Sequence, residues 1–193
     1  MAGLRATYSV ADSLMTFLRN SFPDPLRHDF ACEFRAISAG ELADESAPVQ
    51  NALTLYLYRI TMNEHMRNVR TVNGASDARP PLSIDLHYLL TVWNDSALAE
   101  HTIMTWAMRQ LHEHPVLDAS ALSSAGEWDP ADIVHIVPSE LSTEEVFRIW
   151  DTLAPDYRLS MPYTARVVRI DNQDDITARP VAATRLGFSE KGR

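Results

Sequence analysis

One cysteine, seven histidines and twenty-six carboxylates are the groups in this 193-residue chain best suited to carry chemistry. Cys32 as a nucleophile would need an electropositive, partly exposed setting. It lies instead inside the alternating run DFACEFRAI (29–37), between Phe30 and Phe34, where a small core residue is expected. A single cysteine also excludes an internal disulfide and any cysteine-based zinc finger. His101, His112 and His114 fall in or near one predicted helix. Eleven residues separate the first two by roughly 16 Å of helical rise, and the last two point to different sides. His-Glu-x-x-His is absent, and Asp171, Asp174 and Asp175 lack the glycine and closing glutamate of a calcium loop, so no metal is expected. Carboxylate pairs for acid–base work could come from Glu127, Asp129 and Asp132, or from Glu144 and Glu145, but these are positions where helix-start and loop acids belong. The six glycines (3, 40, 74, 126, 187, 192) form no phosphate loop, dinucleotide fingerprint or nucleophile elbow. Trp93, Trp106, Trp128 and Trp150 could stack a ligand; Trp106 and Trp150 lie on or beside apolar helical stripes and read as core. No catalytic residue and no cofactor is expected. A hydrolase using Cys32 or a carboxylate pair is the enzymatic alternative, and it predicts turnover lost on Cys32→Ala.

The elements that must position these groups follow from periodicity. Ser9, with Asp12 three residues on, reads as a capping-box variant opening a helix to about Ser21, with Val10, Leu14, Phe17 and Leu18 on one face. FPDP (22–25) stops it, and 29–37 is a strand. Residues 38–51 read as a polar loop. The run 52–62, apolar on both faces, is a central strand. Asn73-Gly74 marks the turn of a long protruding hairpin over 62–82. The run 82–93 alternates, with Leu82, Ile84, Leu86, Tyr88, Leu90 and Val92 on one side. Asn94-Asp95-Ser96 caps a helix to about 113, with a stripe of Met104, Ala107, Met108 and Leu111, and Pro115 closes it. A polar loop through Trp128 leads to a strand at 132–137. Ser142 with Glu145 is a full capping box for a helix to about Leu153, with Val146, Ile149 and Trp150 inward. A last strand spans 157–171, and 172–193 reads as an extended arm, the body being 1–171. Strands joined by hairpins and mixed with helices give an α+β fold: a mainly antiparallel mixed sheet with flanking helices.

Hydrophobic residues make up 46% and charged residues 22%, a globular composition that can bury a core without staples. No stretch approaches the roughly 18–20 apolar residues of a membrane span. The start MAGLRATYSVADSLMTF is interrupted by Asp12 and Ser13, so no secretory leader is expected. Net charge is −9, and residues 94–150 hold ten carboxylates against two arginines, a poor nucleic-acid surface. Sixteen arginines stand against one lysine, Lys191. GC-rich coding bias accounts for that ratio, and the functional reading is guanidinium forks that recognise carboxylates at interfaces.

Periodicity stops at a soluble α+β domain; a resemblance goes further. Arg79 to Thr91 (RPPLSIDLHYLLT), Glu100-His101, Trp106 to Arg109, Leu111-His112 and Pro115 to Leu117 carry it in the middle of the chain. Leu141 to Glu145, Ile149-Trp150, Tyr157 to Ser160, Tyr163, Ala165 to Val168 and Ile170-Asp171 continue it. Ala178 to Val181 and Arg185 to Phe188 resemble a shared C-terminal ending, and Asn63 with Arg67-Asn68 fits the hairpin. Together these residues resemble the tail-terminator (cap) family of contractile injection systems, phage-tail-like particles typified by the antifeeding prophage and the Photorhabdus virulence cassette. The polar hairpin tip (69–78) and the ending Glu190-Lys-Gly-Arg193 depart from its pattern.

The resemblance implies a phage tail-terminator-like fold and a structural, non-enzymatic role. It implies a hexameric ring that ends inner tube and sheath at the end distal from the baseplate. The partners implied are further copies of the chain, the inner tube protein and the sheath protein, with neither nucleic acid nor membrane. The protein would be made in the cytoplasm and join a particle that either stays in the cell or is released by lysis. Asn63, Arg67, Asn68, Arg79, Arg179 and Arg185 are the interface candidates. Another adaptor or baseplate-associated subunit of the same particle is the second reading.

Overall fold

The strand with the clearest alternation organises the molecule. In the computed structural model, which describes residues 2–63, 71, 72, 75, 76 and 81–170, β5 (Leu82–Trp93) lies inside a six-stranded sheet. The other strands are β1 (Glu33–Ile37), β2 (Ala52–Met62), β6 (Val116–Asp118), β7 (Ile133–Pro138) and β8 (Ser160–Ile170), in the order β1-β2-β5-β8-β7-β6. All pairs are antiparallel except β1 with β2. That parallel pair corrects the expectation of hairpin joints between consecutive strands. The connection 38–51 is long enough for a crossover, which a two-residue turn is not. Between β2 and β5 a two-residue ladder, β3 (Thr71–Val72) with β4 (Ala75–Ser76), flanks positions 73 and 74, where the hairpin turn is expected.

One face of the sheet is the main core. Ile84, Leu86, Tyr88, Leu90 and Val92 of β5 pack with α1 (Ala6–Ser21) and α4 (Ala97–Glu113). Val10, Leu14 and Leu18 come from α1, and Ile103, Trp106, Ala107 and Leu111 from α4. Each such fully buried aliphatic side chain contributes about 1.5–3 kcal/mol relative to exposure. Phe22, Phe34 and Trp106 close one end edge-to-face, with ring centroids 4.9–6.0 Å apart. Met108, expected on the buried stripe, is 37% exposed. The stripe turns toward Trp106 instead, because that indole fills the space between the two phenylalanines.

Several local expectations are corrected. Helix α1 starts three residues before Ser9, with Arg5 at its N-cap and no side-chain cap. Ser9 is fully buried: its hydroxyl accepts from Trp128 Nε1 at 2.9 Å and donates to the Ser123 carbonyl at 2.9 Å. Ser13 completes the knot, accepting from the Ser123 N–H at 2.7 Å. A β-carbon at Gly126 would overlap the Trp128 ring, so only glycine lets the 3₁₀ turn Ser124–Gly126 approach α1. Pro23 and Pro25 do not only end α1; they open a short α2 (Asp24–Asp29), since proline is compatible with a first helical turn. The strand expected from 29 therefore begins at Glu33. The expected loop 38–51 contains α3 (Ala39–Leu42), set by a capping box between Ser38 and Glu41, and β6 interrupts the loop expected before Trp128.

Candidate assembly surfaces

The opposite face of the sheet is built from the alternate residues of the same strands. Along β5 these are Ser83, Asp85, His87, Leu89, Thr91 and Trp93, and their character changes midway. Leu89 and Trp93 lie under α5 (Thr143–Asp151), packed with Ala52 and Trp150. Ser83, Asp85 and His87 continue past that cover as a polar ladder. The Asn63 amide donates to both carboxylate oxygens of Asp85, at 3.1 and 3.2 Å. Its N–H donates to the Ser83 carbonyl at 2.9 Å, so Asn63 clamps the base of the β2–β5 hairpin.

His87 contacts Thr61 Oγ1 through Nε2 at 2.8 Å and Thr164 Oγ1 through Nδ1 at 3.3 Å, and Ser139 Oγ bonds Thr164 in turn. Burial, followed by the charges of Arg59 and Arg166 against the opposing pull of Asp85, holds the imidazole pKa below its usual value. Both ring nitrogens are engaged by sheet threonines. The group is wired as cross-strand bonding, not as a base beside an activated nucleophile.

The other groups with chemical promise are spent locally. Burial pushes the Cys32 thiol up to about 12, which removes the thiolate a nucleophile needs. Glu145 closes the Ser142 capping box, whose N–H and hydroxyl hold its carboxyl below the usual range, and Glu144 pairs with Arg148 at 2.7 Å. Asp132 Oδ2 accepts from the Asp129 N–H at 2.9 Å, a turn contact. Among the described residues no group of three metal-ligating side chains converges, and no helix is long and apolar enough to cross a membrane.

A second surface surrounds α5. Trp93 and Trp150 meet edge-to-face at 5.9 Å, Trp150 meets Tyr157 at 6.0 Å, and Tyr157 meets Phe147 at 5.2 Å. This aromatic chain runs from the interior to the surface, where Phe147 is 46% and Tyr157 49% exposed. Beside it, Arg158 lies over the Trp93 ring at 5.9 Å, lining a 280 Å³ cleft with Leu42, Val49, Asn94 and Pro155. At the far end of the sheet Met62 and Leu82 are also exposed, at the base of the hairpin.

Of the sequence-derived interface residues, the structure places Asn63 at that hairpin base. Arg67, Asn68, Arg79, Arg179 and Arg185 lie outside the described residues, as does the expected arm 172–193. The polar ladder and the Phe147–Tyr157 pair were missed by sequence reasoning. The ladder had a signal in the second phase of β5, polar at 83, 85 and 87 and apolar at 89 and 93. The aromatic pair had none, because ten residues across a helix end and a loop form no periodic pattern.

The comparisons with known proteins agree with this architecture. No curated protein matches the chain in sequence. The fold matches the PVC sheath/tube terminator of an extracellular contractile injection system in its extended state, with a TM-score of 0.59 and 18% identity over 96% of this chain. It also matches the tube-terminating cap of the anti-feeding prophage, with a TM-score of 0.56 and 18% identity over 93% of this chain. The chain spans 64% and 60% of the length of those two proteins. The family model described as the Pvc16 N-terminal domain matches residues 9–184, which takes in all the elements to β8 except the first three residues of α1. With that coverage, the chain belongs to the Pvc16 N-terminal domain family.

Proposed function

We propose that this protein is a structural cap of a contractile injection system. Copies of it close into a hexameric ring that ends the inner tube and sheath at the end distal from the baseplate. The observation that carries this reading is the family match over residues 9–184. The fold shared with a sheath/tube terminator and a tube-terminating cap supports it. A ring requires a heterologous interface that closes by rotation, and a molecule with one stable core and exposed apolar side chains such as Met62, Leu82, Phe147 and Tyr157 elsewhere suits that need. Catalysis has no part in this reading: the half-buried Cys32 is held as a thiol, Glu145 caps α5 and Asp132 closes a turn. The protein is made in the cytoplasm and becomes part of the particle.

Residues 1–171 form the ring body and 172–193 an arm. Arg67, Arg79 and Arg179 pair with carboxylates on neighbouring cap, tube or sheath subunits, using the bidentate geometry of guanidinium, with Asn68 and Arg185 alongside. Replacing those three arginines with alanine is expected to lower capping and broaden particle length. Unchanged length and closed ends would refute their role.

The test of the function itself is deletion of the gene in its host, with particle lengths measured by negative-stain electron microscopy. Overlong, heterogeneous or absent particles are expected. Particles of normal length with closed ends would overturn the cap reading.

A further inference from the structure

Phe147 of α5 and Tyr157 of the loop that follows it pack at 5.2 Å, and Tyr157 also meets Trp150. Among the described residues both rings remain close to half exposed. Aromatic side chains held rigidly at a surface are the usual anchors of protein interfaces. Their surroundings set the chemistry of the occupant. Residues 144–158 hold Glu144, Glu145, Asp151 and Asp156 against Arg148 and Arg158, four acids to two cations. Asp151 is one helical turn beyond Phe147 and Asp156 adjoins Tyr157. A segment that joins arginine to apolar side chains and lacks carboxylates is complementary to this surface.

This chain contains such a segment. Residues 176–189, ITARPVAATRLGFS, carry Arg179 and Arg185, no carboxylate, and the apolar side chains Val181, Leu186 and Phe188. We propose that residues 176–189 of one copy seat on the Phe147–Tyr157 surface of a neighbouring copy. Guanidinium lies over an aromatic face, and Asp151 and Asp156 supply the counter-charge.

Reach favours a neighbour over the same chain. Strand β8 ends at Ile170, which pairs with Leu82, whereas its start, Ser160, pairs with Thr91 near the α5 end. Ten residues of strand separate those ends by about 33 Å, and Tyr157 lies three residues beyond Ser160. Arg179 is nine residues past Ile170, so a fully straight chain carries it only about 30–32 Å. A chain's own tail is long enough to bring Arg185, Leu186 and Phe188 to that surface but leaves Arg179 short of it, while a tail arriving from the next copy can seat both arginines without doubling back along the sheet. Continuing such contacts from copy to copy around a closed ring gives every tail a seat. This inference rests on the cap reading above.

Two chains with different epitope tags, one carrying Ala154→Cys beside the aromatic pair and the other Val181→Cys, are produced together in the host in place of the native copy. Particles are purified and oxidised. Cys32, which is half-buried, is replaced by serine in both chains so that it takes no part in the exchange. A disulfide-linked dimer bearing both tags is expected, at about tenfold the yield of a control pairing Val116→Cys with Val181→Cys, because seating raises the local thiol concentration. Particles that contain both chains and give no mixed dimer above that control overturn the proposal. So does a cross-link that forms only when both cysteines are on one chain. Capped particles of normal length that contain neither chain would instead refute the cap reading on which the proposal rests.

Discussion

The face of the sheet under α1 and α4 and the face carrying α5 use alternate residues of the same strands, yet they are held by different forces. On the first, Leu86, Leu90 and Val92 are fully buried and water is excluded along the strand. On the second, the Leu89–Trp93 end is apolar and packed under α5, and the rest is a half-buried polar ladder tied by Asn63–Asp85 and Thr61–His87–Thr164. Hydrophobic burial supplies most of the stability of a small domain, while each exchanged hydrogen bond nets only about 0.5–1.5 kcal/mol. The first face can therefore hold the fold while the second stays available for contacts between subunits.

The comparison breaks first, and most severely, at the core. Leu86→Ala removes a fully buried side chain at the crossing of β2, β5 and β8 and is expected to cost about 2–5 kcal/mol in denaturant titration. A loss below 1 kcal/mol would mean that the first face is not the stabilising one.

Next in size is the serine knot behind α1. Ser9→Ala strands the Trp128 indole N–H and the Ser123 carbonyl without their partner, and a cost of about 1–3 kcal/mol is expected. Thermal unfolding followed by Trp fluorescence reads both the stability and the indole environment.

The smallest effect belongs to the second face. The folded state holds the His87 pKa below the ordinary 6.5, so the unfolded chain takes up the proton first as pH falls. This group's contribution is intact above about pH 6.5 and is lost progressively below it. His87→Gln should flatten that part of the stability–pH curve. An unchanged acid slope would show that the ladder is electrostatically silent.

How much of this was legible beforehand depends on the range of the interaction. Strand β2 begins and ends with the apolar run 52–62, β5 with the alternating run 82–93, and α5 starts at its Ser142–Glu145 box, because apolar runs, alternation and caps are local signals. Ser9 with Asp12 mimics such a cap, but the partners of Ser9 are 114 and 119 residues away and only the folded chain brings them together. The parallel pairing of β1 with β2 has the same character: the alternation in 29–37 predicts a strand, not its neighbour's direction. At the candidate interface, position 63 was legible as the base of a hairpin. Asp85 as its partner was not, since it depends on the β2–β5 register and its bulge near Leu57 and Arg59.

We propose that the protein, with its half-buried polar face and exposed aromatic pair, is a cap of a contractile particle. The most direct measurement is the position of an epitope-tagged copy on the assembled particle, read by gold labelling in the electron microscope in a host whose own copy is deleted. Label confined to the blunt end opposite the baseplate, with uniform particle length restored, is the predicted result. Label at the baseplate end or along the shaft would contradict it.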